Sequence, residues 1–142
     1  MQNQPFVIER IYNAPIEKVW SAISDNNEMK KWCFVLAEFK PEVGFEFQFS
    51  SGPPHKTYLH LCKVTEVIIG KKLAYSWRYD GYHGNSFVTF ELFAEGTKTK
   101  LKLTHEGLES FTASNSLDLD KKNFEAGWAQ IIGVTLKEFL EK

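Results

Sequence analysis

The alternation of apolar and polar side chains through the middle of the chain is the feature that most restricts its fold. Phe45, Phe47 and Phe49 alternate with Glu46 and Gln48. A period of two residues is typical of β-strands with one buried and one solvated face. Strands are predicted over residues 6–12, 36–39, 45–49, 57–69, 73–79, 88–92 and 101–105. Because short turns join most of them, the sheet is predicted to be antiparallel.

Apolar residues recur at helical spacing at both ends of this β region. Pro15 breaks the first strand and suits the first turn of a helix, and helices are predicted over 15–24 and 26–32. The chain ends in an amphipathic helix predicted over 121–141. Residues 106–120 are polar and are predicted to form a loop. The apolar face of the final helix carries Phe124, Trp128, Ile131, Ile132, Thr135, Leu136 and Phe139.

The widths of these elements predict how they pack. Seven strands at about 4.8 Å spacing form a flat sheet roughly 29 Å wide, whereas an α-helix is only about 10–12 Å across. One helix cannot cover such a sheet, so the sheet must curl around it. We therefore predict an α+β fold in which a curved antiparallel sheet of about seven strands surrounds the C-terminal helix. Such a fold leaves a space between sheet and helix, which aromatic side chains either fill or line.

Length, charge and cysteine content exclude several classes of protein. The 142 residues suffice for one domain, predicted over 1–142, and the net charge of −1 offers no basic surface for nucleic acid. No apolar run approaches the roughly 20 residues that span a bilayer, and no signal peptide is visible, so we expect a cytoplasmic protein. Cys33 and Cys62 form no C-x-x-C pair. No cofactor is expected, because no motif for phosphate, metal or an activated serine occurs.

An aromatic wall is predicted on the inward side of the sheet. Tyr75, Trp77 and Tyr79 share one strand face, and Phe90 lies on the neighbouring strand. Trp128 adds an indole from the apolar face of the final helix. Pockets for small molecules are mostly apolar, so these five residues are candidates for ligand binding. Plain core packing is the alternative reading for all five.

Three polar side chains are predicted on the same inner surface. His60 and Cys62 share one strand face and could anchor a ligand. A metal site is not expected there, because a closed zinc site needs four ligands and no further Cys or His has supporting spacing. His105 could act as a general base near neutral pH, although a hydrogen-bonded core histidine is the favoured interpretation. No pair of carboxylates falls on the inward face, so no catalytic residue is assigned.

Two segments are candidates for closing such a pocket. Tyr82 and His83 lie at a hairpin tip between glycines, and Phe111 and Leu117 lie in the long loop before the final helix. Loops of this kind often carry function, but an ordinary exposed turn is the alternative.

Short motifs in a fixed order give the chain a resemblance to a known family. These are Arg10, Ala14-Pro15, Val19-Trp20-x-Ala22, Trp32, Gly44-Phe45-x-Phe47, Val64-x-Glu66-Val67, Lys72-Leu73-x-Tyr75-x-Trp77, Thr104-His105-x-Gly107 and Gly127-Trp128. With these motifs, over about residues 6–140, the chain resembles the START/Bet v 1-like (SRPBCC) superfamily. Within that superfamily it is most similar to the homologues of the activator of heat-shock protein 90 ATPase. The resemblance implies the helix-grip fold, which hosts many unrelated functions.

The resemblance also implies a function class. Members of the superfamily bind lipids, sterols, polyketides or other apolar small molecules, and some are cyclases or aromatases. The eukaryotic co-chaperones carry a further N-terminal domain not seen in this chain. We therefore expect the binding partner to be a small molecule rather than a chaperone. We therefore predict that a small apolar or amphipathic molecule binds in a cavity between the sheet and the C-terminal helix.

Two alternatives to this function remain open, and so does the oligomeric state. A cyclase- or hydrolase-type enzyme could use His105 with Tyr75 or Tyr79 as acid and base. A chaperone-associated module would bind proteins instead. A homodimer is also open, since surplus aromatic residues could lie at an interface.

Overall fold

Six strands precede a C-terminal helix in the computed structural model, which describes residues 5–32, 39–51, 58–82, 84–108, 110 and 121–141. The first elements are β1 (Phe6–Tyr12), α1 (Ile16–Ser24) and α2 (Asn26–Trp32). The remaining strands are β2 (Glu46–Ser51), β3 (Tyr58–Ile68), β4 (Lys72–Tyr79), β5 (Ser86–Glu95) and β6 (Lys98–Glu106). The final helix consists of α3 (Lys121–Gln130), a π-helical turn (Ile131–Thr135) and α4 (Leu136–Leu140).

The strands form one antiparallel sheet in the order β1-β6-β5-β4-β3-β2. Strands β2 to β6 are neighbours in sequence order, as short turns predict, and β1 pairs with β6. The predicted α+β helix-grip fold is confirmed, with six strands in the described residues rather than seven. The seventh predicted strand, over 36–39, lies outside the described residues except for Phe39. That residue is buried but belongs to no strand.

A β-bulge in β3 contributes to the curvature of the sheet. The pairing of β3 with β4 shifts register between Val64 and Glu66. Alternate residues from Tyr58 to Val64 are buried before the bulge, and beyond it Val67 turns inward. An extra residue on one strand bends that strand and increases its twist. The bulge therefore helps the sheet to curl around the helix.

The final helix is less regular than the sequence predicts. The expected uniform helix over 121–141 is interrupted by the π-helical turn. The turn contains Gly133 and four β-branched residues, which are weak helix formers. The buried hydroxyl of Tyr12 donates a 2.6 Å hydrogen bond to the carbonyl of Ile132 in this turn. A contact between residues 120 positions apart in the sequence thus stabilises the irregularity.

The interior between sheet and helix has two regions of different composition. We call the first the aliphatic half; it includes the buried side chains of α4 and comprises Tyr12, Val19, Leu73, Leu92, Leu101, Ile132, Leu136 and Leu140. We call the second the aromatic half; it lies under α3 and comprises Phe49, Tyr58, His60, Cys62, Tyr75, Trp77, Tyr79, Ser86, Phe90, His105, Phe124 and Trp128. All polar side chains that the sequence assigned to a binding surface belong to the aromatic half.

Candidate functional site

The structure brings all eight predicted site residues into the aromatic half. His60 and Cys62 come from β3, and the register pairs them with Tyr79 and Trp77 of β4. None of the eight side chains is more than 7% exposed. The eight residues are His60, Cys62, Tyr75, Trp77, Tyr79, Phe90, His105 and Trp128. Their predicted inward orientation is therefore what the structure shows, whereas their role in ligand binding stays a prediction.

Trp77 is the centre of the aromatic half. Its ring lies 5.1 Å from the ring of His60 and 5.7 Å from the rings of Phe49 and His105, measured between centroids. The Trp128 ring of α3 lies 5.6 Å away. Most of these contacts are edge-on or tilted, the geometry that aromatic pairs prefer. Trp77 therefore joins three strands and the final helix in one cluster of rings.

The packing of these rings concerns the space that the sequence predicts between the sheet and the final helix. Tyr79 and His105 both contact Phe124, so ring contacts continue from the sheet to α3. Three depressions lined by described residues lie on the surface, beside Arg78, Val134 and Phe93. A space between sheet and helix therefore stays a prediction, and a guest in the aromatic half would have to separate rings that are in contact.

His105 has both ring nitrogens occupied. The indole N–H of Trp128 donates to Nδ1 at 2.9 Å, so Nδ1 carries no proton. Nε2 then carries the proton and donates to the hydroxyl of Ser86 at 2.8 Å, and that hydroxyl donates to the carbonyl of Trp77 at 2.8 Å. Burial lowers the pKa of the fully buried His105 to about 3. This geometry favours the core interpretation over a general base.

Gly107 explains why Ser86 can reach His105. A Cβ atom at position 107 would lie 2.9 Å from the carbonyl oxygen of Asn85 and 3.2 Å from the Cα of Ser86. The backbone there has φ of 81°, a conformation that glycine adopts readily. The spacing His105-x-Gly107 therefore has a physical reason, because any side chain would push the start of β5 away from the histidine.

His60 is bonded to the backbone. Nδ1 lies 3.0 Å from the carbonyl oxygen of Tyr58, and the ring stacks on Phe49 at 4.3 Å between centroids. Burial lowers the pKa of His60 to about 4, although the carbonyls of Tyr58 and Phe49 act in the opposite direction. The imidazole is therefore neutral at pH 7.

Cys62 and Tyr79 are also neutral. Burial raises the pKa of the Cys62 thiol, so no reactive thiolate forms near neutral pH. Burial likewise raises the pKa of Tyr79, whose hydroxyl accepts a 2.9 Å hydrogen bond from the indole N–H of Trp77. No group of three His, Cys, Asp or Glu side chains that could hold a metal ion occurs in the described part of the chain.

Four residues of the aromatic half, Phe49, Tyr58, Ser86 and Phe124, are not among the eight that the sequence predicts for the site. Ser86, which bonds His105, was omitted because the strand was predicted to begin at residue 88; it lies on the same face as Val88, and the period of two identifies it. Tyr82 packs against Tyr58 at 5.3 Å between ring centroids. The other proposed closing residues, His83, Phe111 and Leu117, lie outside the described residues.

Comparison with known proteins identifies the family. The family described as Activator of Hsp90 ATPase homolog 1-like protein matches residues 13–141. The chain belongs to this family. No functionally curated protein matches the chain. Members of the Activator of Hsp90 ATPase homolog 1-like family share the fold that the motifs imply, so the match agrees with the resemblance seen in the sequence.

Solved structures show the same fold along the whole chain. Protein MLL2253 from Mesorhizobium loti is 27% identical with a TM-score of 0.78, and the match covers 96% of each chain. Protein CV1439 from Chromobacterium violaceum is 22% identical with a TM-score of 0.83, covering 100% of this chain and 99% of its own. DynU16, from the dynemicin biosynthetic locus, is 18% identical with a TM-score of 0.78, covering 97% of this chain and 47% of its own.

The family match and these neighbours show the fold, which is compatible with a domain of the ligand-binding type, and they show no specific activity. Within the described residues, no helix is both long enough and apolar enough to cross a membrane.

Proposed function

We propose that this protein binds a small, largely apolar molecule in the aromatic half, between the sheet and α3. The observation that carries the proposal is the inward surface of β2, β3 and β4. Its described inward positions carry aromatic and apolar side chains with a few polar atoms, and none carries a charged side chain. A surface of this composition is typical of small-molecule pockets.

The anchoring of the final helix favours the α3 end for entry of the ligand. The α4 end is fixed by backbone and side-chain hydrogen bonds: the amine of Lys18 donates to the carbonyl of Leu140, and the backbone N–H of Asn13 donates to the carboxylate of Glu141. At the other end, α3 meets the sheet through ring contacts and the Trp128–His105 hydrogen bond. A ligand that replaces ring contacts with its own rings recovers apolar burial at about 25 cal/mol per Å².

Native mass spectrometry of the protein purified from its own host tests this proposal. We expect a fraction of the protein to carry a non-covalent adduct of small-molecule mass. The adduct should be lost when Trp77 is replaced by Leu and retained when the exposed outer-face residue Phe93 is replaced by Leu. An adduct that survives Trp77→Leu in a folded protein would place the ligand elsewhere.

A protein partner on the outer face of the sheet is the second candidate. Val7, Ile11, Phe87 and Phe93 are each 43–50% exposed on this face. The strand register places a row of alternating charges, Glu9, Lys102, Glu91 and Lys72, between the pair Val7 and Phe87 and the pair Ile11 and Phe93. Because this row divides the apolar side chains, they form no continuous patch, and the interior is the better supported site.

A further inference from the structure

We infer that the turn between β3 and β4, together with nearby residues of β1, β5 and β6, docks on the surface of an anionic lipid bilayer. This inference concerns a second surface of the molecule and goes beyond the ligand of the aromatic half. It is carried by exposed isoleucines in the turn, by the lysines beside them and by the strand register that brings these side chains together.

The turn between β3 and β4 exposes two consecutive isoleucines. Ile69 is 71% exposed, the highest value for a large hydrophobic side chain in the described part of the chain, and Ile68 is 47% exposed. A Cβ atom at Gly70, the next residue of the turn, would meet nothing within 4 Å, so the turn projects into open space. Its side chains can therefore enter an apolar medium without rearrangement of the fold.

The strand register places two more exposed apolar side chains beside this turn. The backbone N–H of Leu92 donates to the carbonyl of Lys71 at 2.8 Å, so the turn lies against the end of β5. Phe93 follows in β5, and Lys100 of β6 lies between Phe93 and Ile11 of β1. The amine of Lys100 is 5.4 Å from the centroid of the Phe93 ring, and Ile11 and Phe93 are 50% and 43% exposed. We define the β3–β4 surface as Ile11, Ile68, Ile69, Lys71, Phe93 and Lys100, of which Ile68, Lys71 and Phe93 line one depression.

The charged side chains of the β3–β4 surface are both lysines. No ion pair of Lys71 or Lys100 with a carboxylate is found in the part of the chain that the structure describes. At the border of the surface, Lys72 pairs with Glu66 at 3.1 Å and lies opposite Glu91 in the register, so the acidic groups there face a lysine of their own. Lysines beside exposed apolar side chains are typical of proteins that bind anionic lipid headgroups.

A second copy of the chain fits this surface less well than a bilayer. In a symmetric dimer the same surface faces itself, so Lys71 and Lys100 of one copy would approach the same lysines of the other. The row of alternating charges that contains Lys102 and Glu91 also bounds the surface on one side, which restricts the apolar area that a dimer could bury. A bilayer supplies phosphate groups for the lysines and hydrocarbon for the isoleucines.

The β3–β4 surface lies at the end of the sheet that contributes to the aliphatic half. Leu73 and Leu92 of the aliphatic half come from the same ends of β4 and β5 as this surface. Docking would therefore leave α3 and the aromatic half uncovered. Binding to a bilayer and binding of a ligand in the aromatic half should be independent of each other.

Co-sedimentation with lipid vesicles tests the inference. The probes are vesicles of phosphatidylcholine alone and vesicles of equal parts phosphatidylcholine and phosphatidylglycerol. The wild-type protein should bind the anionic vesicles more tightly than the neutral ones and should be released by about 0.5 M sodium chloride, because salt screens exposed charges. Ile69→Ser should weaken binding to anionic vesicles about tenfold and Lys71→Gln about fivefold.

Phe93→Ser and Phe87→Ser are a matched pair of variants. Both phenylalanines are 43% exposed and lie on the outer face of β5, near opposite ends of the strand. Phe93→Ser should weaken binding to anionic vesicles severalfold, whereas Phe87→Ser should leave it unchanged. No binding of the wild-type protein to anionic vesicles, equal binding to both kinds of vesicle, or equal losses in the two variants would overturn the inference.

Sedimentation velocity separates a bilayer from a second copy. The wild-type protein should remain a monomer in the absence of vesicles. A dimer that Ile69→Ser converts to a monomer would assign the β3–β4 surface to a second copy and overturn the inference. The small-molecule adduct expected in native mass spectrometry should persist in Ile69→Ser, so loss of docking and loss of the proposed function are distinguishable.

Discussion

The aliphatic half and the aromatic half differ in the number and kind of their buried polar groups. In the aliphatic half most buried side chains are hydrocarbon; the hydroxyl of Tyr12 is bonded to the carbonyl of Ile132, and that of its strand neighbour Thr99 is bonded to the carbonyl of Ala14. The aromatic half contains two neutral histidines, a thiol, a serine and indole N–H groups among its rings. An interior that served stability alone would not require so many buried polar atoms, since each must find a partner. We therefore propose that the aliphatic half serves stability and the aromatic half serves recognition.

Acidification should destabilise the aromatic half, and this is the largest change in the free energy of unfolding that we expect. His60 and His105 have folded-state pKa values of about 4 and about 3, below the ordinary value of 6.5. Below pH 6.5 the unfolded chain therefore binds more protons than the folded protein, and stability falls as pH falls. From pH 7 to pH 5 the free energy of unfolding should drop by roughly 4 kcal/mol for the two groups together.

Urea denaturation at several pH values measures this loss. The His60→Phe variant should lose about half of this dependence on pH, because His105 is then the one remaining histidine of the two whose pKa burial lowers. A free energy of unfolding that stays constant from pH 7 to pH 5 would show that neither histidine is held neutral by burial.

Truncation in the aliphatic half should reduce stability without affecting recognition. Leu136 is fully buried, so Leu136→Ala should cost about 3 kcal/mol, from lost burial and the cavity left behind. Val134 on the same helix is 41% exposed, and Val134→Ala is the control, with a cost below about 0.5 kcal/mol. Urea denaturation gives both values. We use 2-naphthol, a flat and largely apolar molecule, as the probe for binding in the aromatic half. If Leu136→Ala also weakened the binding of 2-naphthol severalfold in folded protein, the two halves could not have separate roles.

Replacement of Gly107 should move Ser86 away from His105. Gly107→Ala combines a left-handed backbone with a Cβ atom 2.9 Å from a carbonyl oxygen, so it should cost about 2 kcal/mol. Gly96 also has positive φ, 68°, but a Cβ atom there meets nothing within 4 Å, so Gly96→Ala should cost only about 1 kcal/mol. Thermal unfolding of both variants measures the difference. Equal costs would mean that close approach at Gly107 does not position Ser86.

Loss of the central indole should affect recognition more than any change on the outer face. Trp77→Leu should weaken 2-naphthol binding about tenfold, or about 1.4 kcal/mol, because stacking and edge contacts are lost. Phe93→Leu exchanges an aromatic for an aliphatic side chain on the outer face and should leave the affinity unchanged. Calorimetric titration of both variants decides between the interior and the outer face. Unchanged affinity in a folded Trp77→Leu protein would contradict the assignment of recognition to the aromatic half.

The sequence predicted which side chains face inward but not how they bond. The period of two residues placed His60, Cys62 and Trp77 on the inner surface, because parity along a strand depends only on local geometry. The choice between a catalytic and a structural His105 depended on Trp128 and Ser86, which are 23 and 19 residues away in the sequence. Such partners follow from the register of the sheet and the rotation of the helix, which a single sequence does not specify.

The π-helical turn and the packing of the interior could not be predicted from the sequence either. The turn accepts a hydrogen bond at Ile132 from Tyr12, at the opposite end of the chain. The widths of sheet and helix predicted a space between them. Whether aromatic rings fill that space depends on the rotamers of residues such as Trp77 and Phe124, which periodicity does not determine.

Chemical-shift mapping with 2-naphthol tests the division of the interior most directly. In ¹H–¹⁵N spectra of the labelled protein, we expect the largest shifts in β3, β4 and α3, and small shifts in β1 and α4. Shifts concentrated around Phe87 and Phe93 on the outer face, or spread evenly over both halves, would contradict a recognition site in the aromatic half.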